Sequence, residues 1–402
     1  MNNKDLKFPD GFLWGAATSA YQIEGGLIND WSEWEKSGRR LSKLKAKGLN
    51  PLDFQSGQAA DSWNRMEEDI ACLKKINASA YRFSIDWSRI EPEEGRFDEA
   101  ALNRYASFVA RLQEEEIEPF VTLWHWPIPL WLRDKGGWKS SIIIEYFKKY
   151  AERVALALPT VRFWLTLNEP DVYSARSYLN GNWPPQIINP LTYLMVNNNL
   201  IKAHRAAYSI VKEQLPNAQV GLASHNVYLE SAGGPINNFI CLVARWWWNF
   251  YIFDKVKNKL DFIGLNFYHH TLLKYGFPRN KNEKTNDMGW ELYPEGILPV
   301  LKDLQSRYNK PIYITENGTA DEDDDHRAWY VKEILKNVHQ AIEEGVNVRG
   351  YLHWSLLDNF EWADGFGPRF GLFSVDRKTF ERKARSSVDV YSEIAKNNFL
   401  TL

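Results

Sequence analysis

Eight short runs of β-branched and aromatic residues constrain this chain more than any other feature of its sequence. They are Phe12–Ala16, Ala80–Ile85, Pro119–Trp124, Arg162–Leu167, Gln219–Ser224, Phe262–Asn266, Pro311–Thr315 and Arg349–Trp354. Each ends in polar residues, and from the second onward they start at intervals of roughly 40 to 60 residues, room for a helix between neighbours. Segments with mixed apolar and charged faces fill those intervals: Asp61–Lys75, Glu99–Glu115, Ile142–Ala157, Leu194–Leu215 and Ala328–Glu344. Strands alternating with helices imply parallel βαβ units, and eight of them predict an α/β fold, the (β/α)8 TIM barrel. A doubly wound sheet is the runner-up, but no G-x-G-x-x-G follows the first run. No linker or low-complexity tract interrupts the pattern, so residues 1–402 are read as a single domain.

Charge excludes two classes of partner. With 49 Lys+Arg against 51 Asp+Glu the formal net charge is −2, which provides no footprint for a polyanion. Nucleic acid and membrane are therefore not expected as partners, and no apolar stretch approaches the roughly 18 residues of a membrane span. The N-terminal residues lead into no apolar h-region, and two cysteines, Cys72 and Cys241, suit a reducing compartment, so a cytoplasmic location is expected. Aromatic content is unusual, with 18 Trp; most should be core, but indole faces also stack on sugar rings.

In such a barrel the chemistry lies where strands end. The ends carry Gln22 and Glu24, Arg82 and Asp86, His125 and Trp126, Asn168 and Glu169, His225 and Asn226, Asn266 to His270, Glu316 and Asn317, and Trp354, with Asp358, Glu361 and Trp362 beyond. Two stretches share a form: Phe163-Trp164-Leu165-Thr166-Leu167-Asn168-Glu169-Pro170 and Pro311-Ile312-Tyr313-Ile314-Thr315-Glu316-Asn317-Gly318. Each is an apolar strand that delivers a Glu flanked by Asn to the open end. Strands four and seven lie on opposite sides of an eight-membered ring, so Glu169 and Glu316 should face one another. A carboxyl pair around a bound group is what cleavage of a glycosidic bond requires.

The motifs Thr166-Leu167-Asn168-Glu169-Pro170 and Ile314-Thr315-Glu316-Asn317-Gly318 resemble the acid/base and nucleophile signatures of family 1 glycoside hydrolases, the β-glucosidase and β-galactosidase group. The resemblance extends from Phe8-Pro9-Asp10-Gly11-Phe12-Leu13-Trp14-Gly15-Ala16 through Tyr81-Arg82-Phe83-Ser84 to Leu352-His353-Trp354-Ser355, nearly the whole chain. It implies a retaining double displacement on a β-glucoside, β-galactoside or β-fucoside, with Glu169 as general acid/base and Glu316 as nucleophile, and no metal or cofactor. It further implies that Arg82 and Tyr268 support Glu316 as an anion. Gln22, His125, Asn168, Tyr268, Trp354, Glu361 and Trp362 should bind the sugar, with Trp31 completing the pocket.

The chain departs from the resembled pattern at Pro127, where relatives carry Asp. The stretch between Asn226 and Asp261 and the loop after Tyr268 are short, so the leaving-group side should be open. Consecutive Trp246, Trp247 and Trp248 are expected to pack a helix against the barrel rather than to form a sugar platform. The acidic run Asp321–Asp325 reads as a solvated loop. Glu361, as a carboxylate, is expected to repel 6-phosphosugars and favour uncharged glycosides. A metallohydrolase finds little support in eight His without an early His-x-His. A sugar-binding protein that kept the pocket without turnover remains as the alternative, and oligomeric state and gluco, galacto or fuco preference stay open.

Overall fold

The computed structural model describes residues 5–401. Eight parallel strands close into a barrel: β1 Leu13–Ala17, β2 Ala80–Ser84, β3 Glu118–Trp124, β4 Phe163–Asn168, β5 Gln219–Ser231, β6 Phe262–Lys274, β7 Ile312–Asn317 and β8 Val348–Trp354. Each pairs with its chain neighbours, and β8 closes the ring on β1 with Tyr351 opposite Trp14. All eight runs expected from the sequence are strands in the ring.

Two strands differ in length. β5 and β6 have 13 residues each and pair in parallel past a bulge after Asn226, as far as Ser231 opposite Leu273. His225 and Tyr268 thus stand on strands and not on loops; β-branched and aromatic residues continue through this ribbon, but polar ones interrupt the run that periodicity detects. Helices fall in the intervals with small shifts at their ends. The helix expected from Asp61 starts at Met66, since Asp61 takes a left-handed turn, φ 53°. The one expected from Leu194 starts at Pro190, capped by Asn189 and aided by proline at the first helical position. Residues Asp5–Lys7 pair antiparallel with Phe399–Thr401, tying the two chain ends together beside the helix Arg327–Glu343.

The lower barrel is filled by aromatic rings. Phe120 and Phe163 stack with centroids 4.2 Å apart, and Phe262 and Tyr313 meet both rings edge-on. Gly221 makes room for this layer, because a Cβ there would stand 2.7 Å from the Phe262 ring. Toward the strand ends the interior becomes polar, with Arg82, Thr122, Asn168, Asn266 and Thr315 all buried. That change of layer sets the floor of the site. Gly318 serves it at the rim: a Cβ there would come within 1.7 Å of the Trp354 carbonyl, so β7 and β8 approach this closely only with glycine.

The acidic run is only in part the solvated loop the sequence suggests: Glu322, Asp323 and Asp325 are exposed, but the other two are not. Asp321 is buried and accepts from the backbone N–H groups of His326 and Arg327, each at 2.8 Å. Asp324 pairs with the buried Arg327 and accepts from Ser387 N at 2.7 Å. Two of the five acids therefore anchor the helix Arg327–Glu343, where buried backbone donors and a buried guanidinium need partners.

Candidate active site

Glu169 sits where β4 turns into the helix Pro170–Tyr178, in a left-handed conformation (φ 41°, ψ 59°) that costs a non-glycine residue about 1–2 kcal/mol. Its N–H donates to Ala223 O at 2.8 Å, which holds the turn, and Pro170 starts the helix behind it. The strained turn swings the carboxyl off the strand axis into a cavity of about 630 Å³ at the barrel mouth. Glu316, on β7, reaches the same cavity from the other side of the ring.

Their surroundings differ. Fully buried Arg82 donates through Nη1 to Glu316, through Nη2 to Asn168 Oδ1 at 2.6 Å and through Nε to Thr122 at 3.1 Å. Tyr268 donates to the other oxygen of Glu316 at 2.9 Å. Glu169 receives a single neutral donor, Asn266 Nδ2, at 2.8 Å, and Asn266 is itself held by Thr315, which donates to its Oδ1 at 2.7 Å. Burial and then the charge of Glu316 push the Glu169 carboxyl well above the ordinary carboxylate range. Burial raises Glu316 too, but the Arg82 charge and the Tyr268 hydrogen bond pull it back. The pair therefore holds its protons unequally, Glu169 more tightly than Glu316.

Around the carboxyls, His125, Trp354, Glu361 and Trp362 line the cavity with Tyr268. His125 is held neutral, its pKa far below the usual value through burial and the Arg82 charge. It accepts from Asn168 Nδ2 at 3.1 Å through Nε2, so that its Nδ1–H, buried and without a partner, is left for another acceptor. Gln22 and Asn168 stand one layer back. Gln22 is fully buried and gives its Nε2 hydrogens to Asn359 Oδ1 at 2.9 Å, Phe360 O at 3.0 Å and Glu361 at 3.3 Å, so it touches Glu361 and not the cavity. Trp31 is likewise buried behind Trp362, with centroids 4.6 Å apart, which corrects the expectation that it completes the pocket wall. Trp126 and Trp183 take that place; both line the cavity and pack against each other, tilted, with centroids 4.5 Å apart. Trp183 carried no sequence signal, being a lone indole in a loop.

Other strand-end groups are consumed by the scaffold. Glu24 pairs with Arg89 at 2.9 Å and accepts from Tyr105, Asp86 caps the turn Trp87–Ile90, and Asp358 pairs with Arg385 at 2.7 Å. The three consecutive tryptophans do point to different sides, yet Trp248 reaches the cavity, correcting the expectation that all three only pack. A π-helical turn at Trp246–Phe250 rotates it inward, and Trp247 bonds Tyr193 instead.

The cavity also alters the expected charge of Glu361. Burial, Asp364 and Glu316 push its carboxyl up to about 8, so it is neutral at pH 7 and its repulsion of a phosphate is full only in alkali. A raised folded-state value means that its stabilising contribution is complete below the unfolded value near 4.5 and is lost as pH rises through about 8. Glu361→Gln should accordingly raise Tm relative to the parent at pH 9 by roughly 2–4 °C, with a smaller gain at pH 5, as read by calorimetry. An equal shift at both pH values would contradict this charge state.

The sequence model of Glycosyl hydrolase family 1 matches residues 4–236 and 252–399. Beta-glucosidase A of Thermotoga maritima is 35% identical over all of both chains, and Beta-glucosidase A of Acetivibrio thermocellus 37% identical over 98% of this chain and 99% of its own. Among solved structures, a beta-glucosidase from Thermotoga maritima in complex with glucoimidazole superposes with a TM-score of 0.91 at 33% identity, covering 98% of this chain and 99% of that one. The beta-glycosidase from Pyrococcus horikoshii gives 0.89 at 37% identity, covering 99% and 97%. The alignment to the Thermotoga enzyme runs over 454 positions for a chain of 402, and the family match skips residues 237–251, within the stretch expected to be shortened. On the whole-chain family match, these relatives and the paired carboxyls at the barrel mouth, the chain belongs to glycosyl hydrolase family 1 and is a glycoside hydrolase.

Proposed function

We propose that this enzyme hydrolyses β-D-glycosides of uncharged sugars, β-glucosides among them, with retention, the whole chain forming one catalytic unit. The observation that carries this reading is the contrast between the two carboxyls: Glu316 holds a guanidinium and a phenol, while Glu169 has one amide and a raised affinity for its proton. Glu316 attacks the anomeric carbon as the C–O bond to the leaving group breaks, and Glu169 gives that oxygen its proton. Once Glu316 is an ester its charge is gone, so the Glu169 affinity for a proton falls. It then takes a proton from water, which attacks the same carbon and releases Glu316. His125, with its free N–H, Glu361 and Tyr268 bind hydroxyls, Trp354 and Trp362 offer flat faces, and Gln22, Asn168 and Arg82 position these groups from behind. The names of the relatives and the glucoimidazole complex support a gluco-configured substrate. Two free, buried cysteines, Cys72 and Cys241, and the absence of any helix long and apolar enough to cross a membrane among the described residues fit a cytoplasmic enzyme.

A chromogenic β-glucoside followed by NMR tests the reading. Turnover with the β-anomer of glucose formed first supports it. An α-anomer formed first would mean inversion, and sugar binding without turnover would favour a binding protein instead.

A further inference from the structure

The outer part of the cavity carries a charge that the inner part does not explain. From Lys36 to Leu52 the sequence holds six Lys and Arg and no acid, and the helix Gly38–Ala46 lies within this stretch. Arg40, Lys43 and Lys47, spaced three and four residues apart, share one side of that segment and all line the cavity. Arg176 joins them from the helix that follows Glu169. Arg40 is tied down, donating to Ala363 O and lying over the Trp34 ring at 4.3 Å. Lys43, Lys47 and Arg176 are exposed, and no carboxylate among the described residues lies within ion-pair distance of any of them. Among the described residues the rim carboxyl that lines the cavity is Asp364; burial raises its pKa, while Arg176, Arg40 and Lys47 all act to lower it, so the cations converge on one region of the rim. The imidazoles there, His225 and His269, are neutral through burial.

We propose that this rim is a subsite for a leaving group bearing an anion, a carboxylate or phosphate-like group on the aglycone, held by Lys43, Lys47 and Arg176. The inference rests on the β-glycosidase reading: with the sugar between Glu316, Trp354 and Glu361, the cavity beyond Glu169 is the leaving group's path. Three unpaired cations on one path raise the local concentration of an anion and stabilise it once bound. A neutral aglycone uses only the indoles of Trp126, Trp183 and Trp248.

The test compares 4-(carboxymethyl)phenyl β-D-glucoside with its carbamoylmethyl isostere, where the methylene keeps phenol acidity similar. The expected kcat/KM ratio, anion over amide, is about fivefold at about 20 mM salt and falls toward one at about 500 mM salt. The triple variant Lys43→Gln/Lys47→Gln/Arg176→Gln should bring the ratio to about one at low salt; the salt series on the unaltered enzyme gives the same information without any substitution. A phosphonomethyl substrate separates the two anion types: a higher ratio than the carboxylate assigns a dianion, an equal one a monoanion. A ratio at or below one at low salt, or one that the triple variant leaves unchanged, overturns the proposal while leaving the β-glycosidase reading intact. Hydrolysis of neither glucoside overturns both.

Discussion

Glu316→Gln is expected to lower kcat for an aryl β-glucoside by at least about four orders of magnitude, because an amide of the same shape cannot form the ester. The variant also leaves Arg82 facing a neutral group, and Arg82 is fully buried with Asn168 and Thr122 as its remaining side-chain partners. Breaking a buried pair from one side costs about 3–5 kcal/mol, so Tm should drop as well, with Gln recovering part by accepting a hydrogen bond. Folding checked by circular dichroism separates the two effects. Glu316→Gly with azide provides a chemical readout that misfolding cannot imitate: azide in the vacated space should yield an α-glycosyl azide. A Glu316→Gln enzyme that retained a tenth of the parental kcat would rule out the nucleophile assignment.

For Glu169→Ala the loss should depend on the leaving group. Protonic assistance is worth about 10²–10⁴ for a poor leaving group such as an alkyl alcohol and much less for a dinitrophenolate, which departs unaided. The alkaline limb of the parental kcat/KM profile should vanish in the variant, since activity falls as pH rises through the raised Glu169 value and no other group takes over that role. Azide should restore turnover with a β-glycosyl azide, the opposite anomer to the Glu316→Gly product. A uniform loss across leaving groups, with the alkaline limb kept, would assign the acid elsewhere. Asn266 bears on this profile, as the one amide that bonds Glu169 while bracing against Thr315. It ends the sixth strand run, and nothing in its own sequence context distinguishes it from the Asn at other strand ends.

The order of layers was legible because it is local. A strand buried on both faces must be apolar, and its last residues face the mouth, so eight runs and the polar residues after them told both the ring and the two carboxyls. Family motifs added roles that spacing alone leaves open. What only the folded chain decided are contacts between residues distant in sequence. Gln22 lies behind Glu361, and Trp31 behind Trp362, because the loop after β8 covers the loop after β1. Trp248 enters the cavity through one π-helical turn, a shift of register no periodicity announces. The neutral state of Glu361 follows from burial beside Asp364 and Glu316, and the acidic run became an anchor because Arg327 is buried under it. A side chain's type is written in the chain, but its charge and whether it meets solvent, substrate or scaffold depend on dielectric and neighbours, which exist only after the barrel has closed.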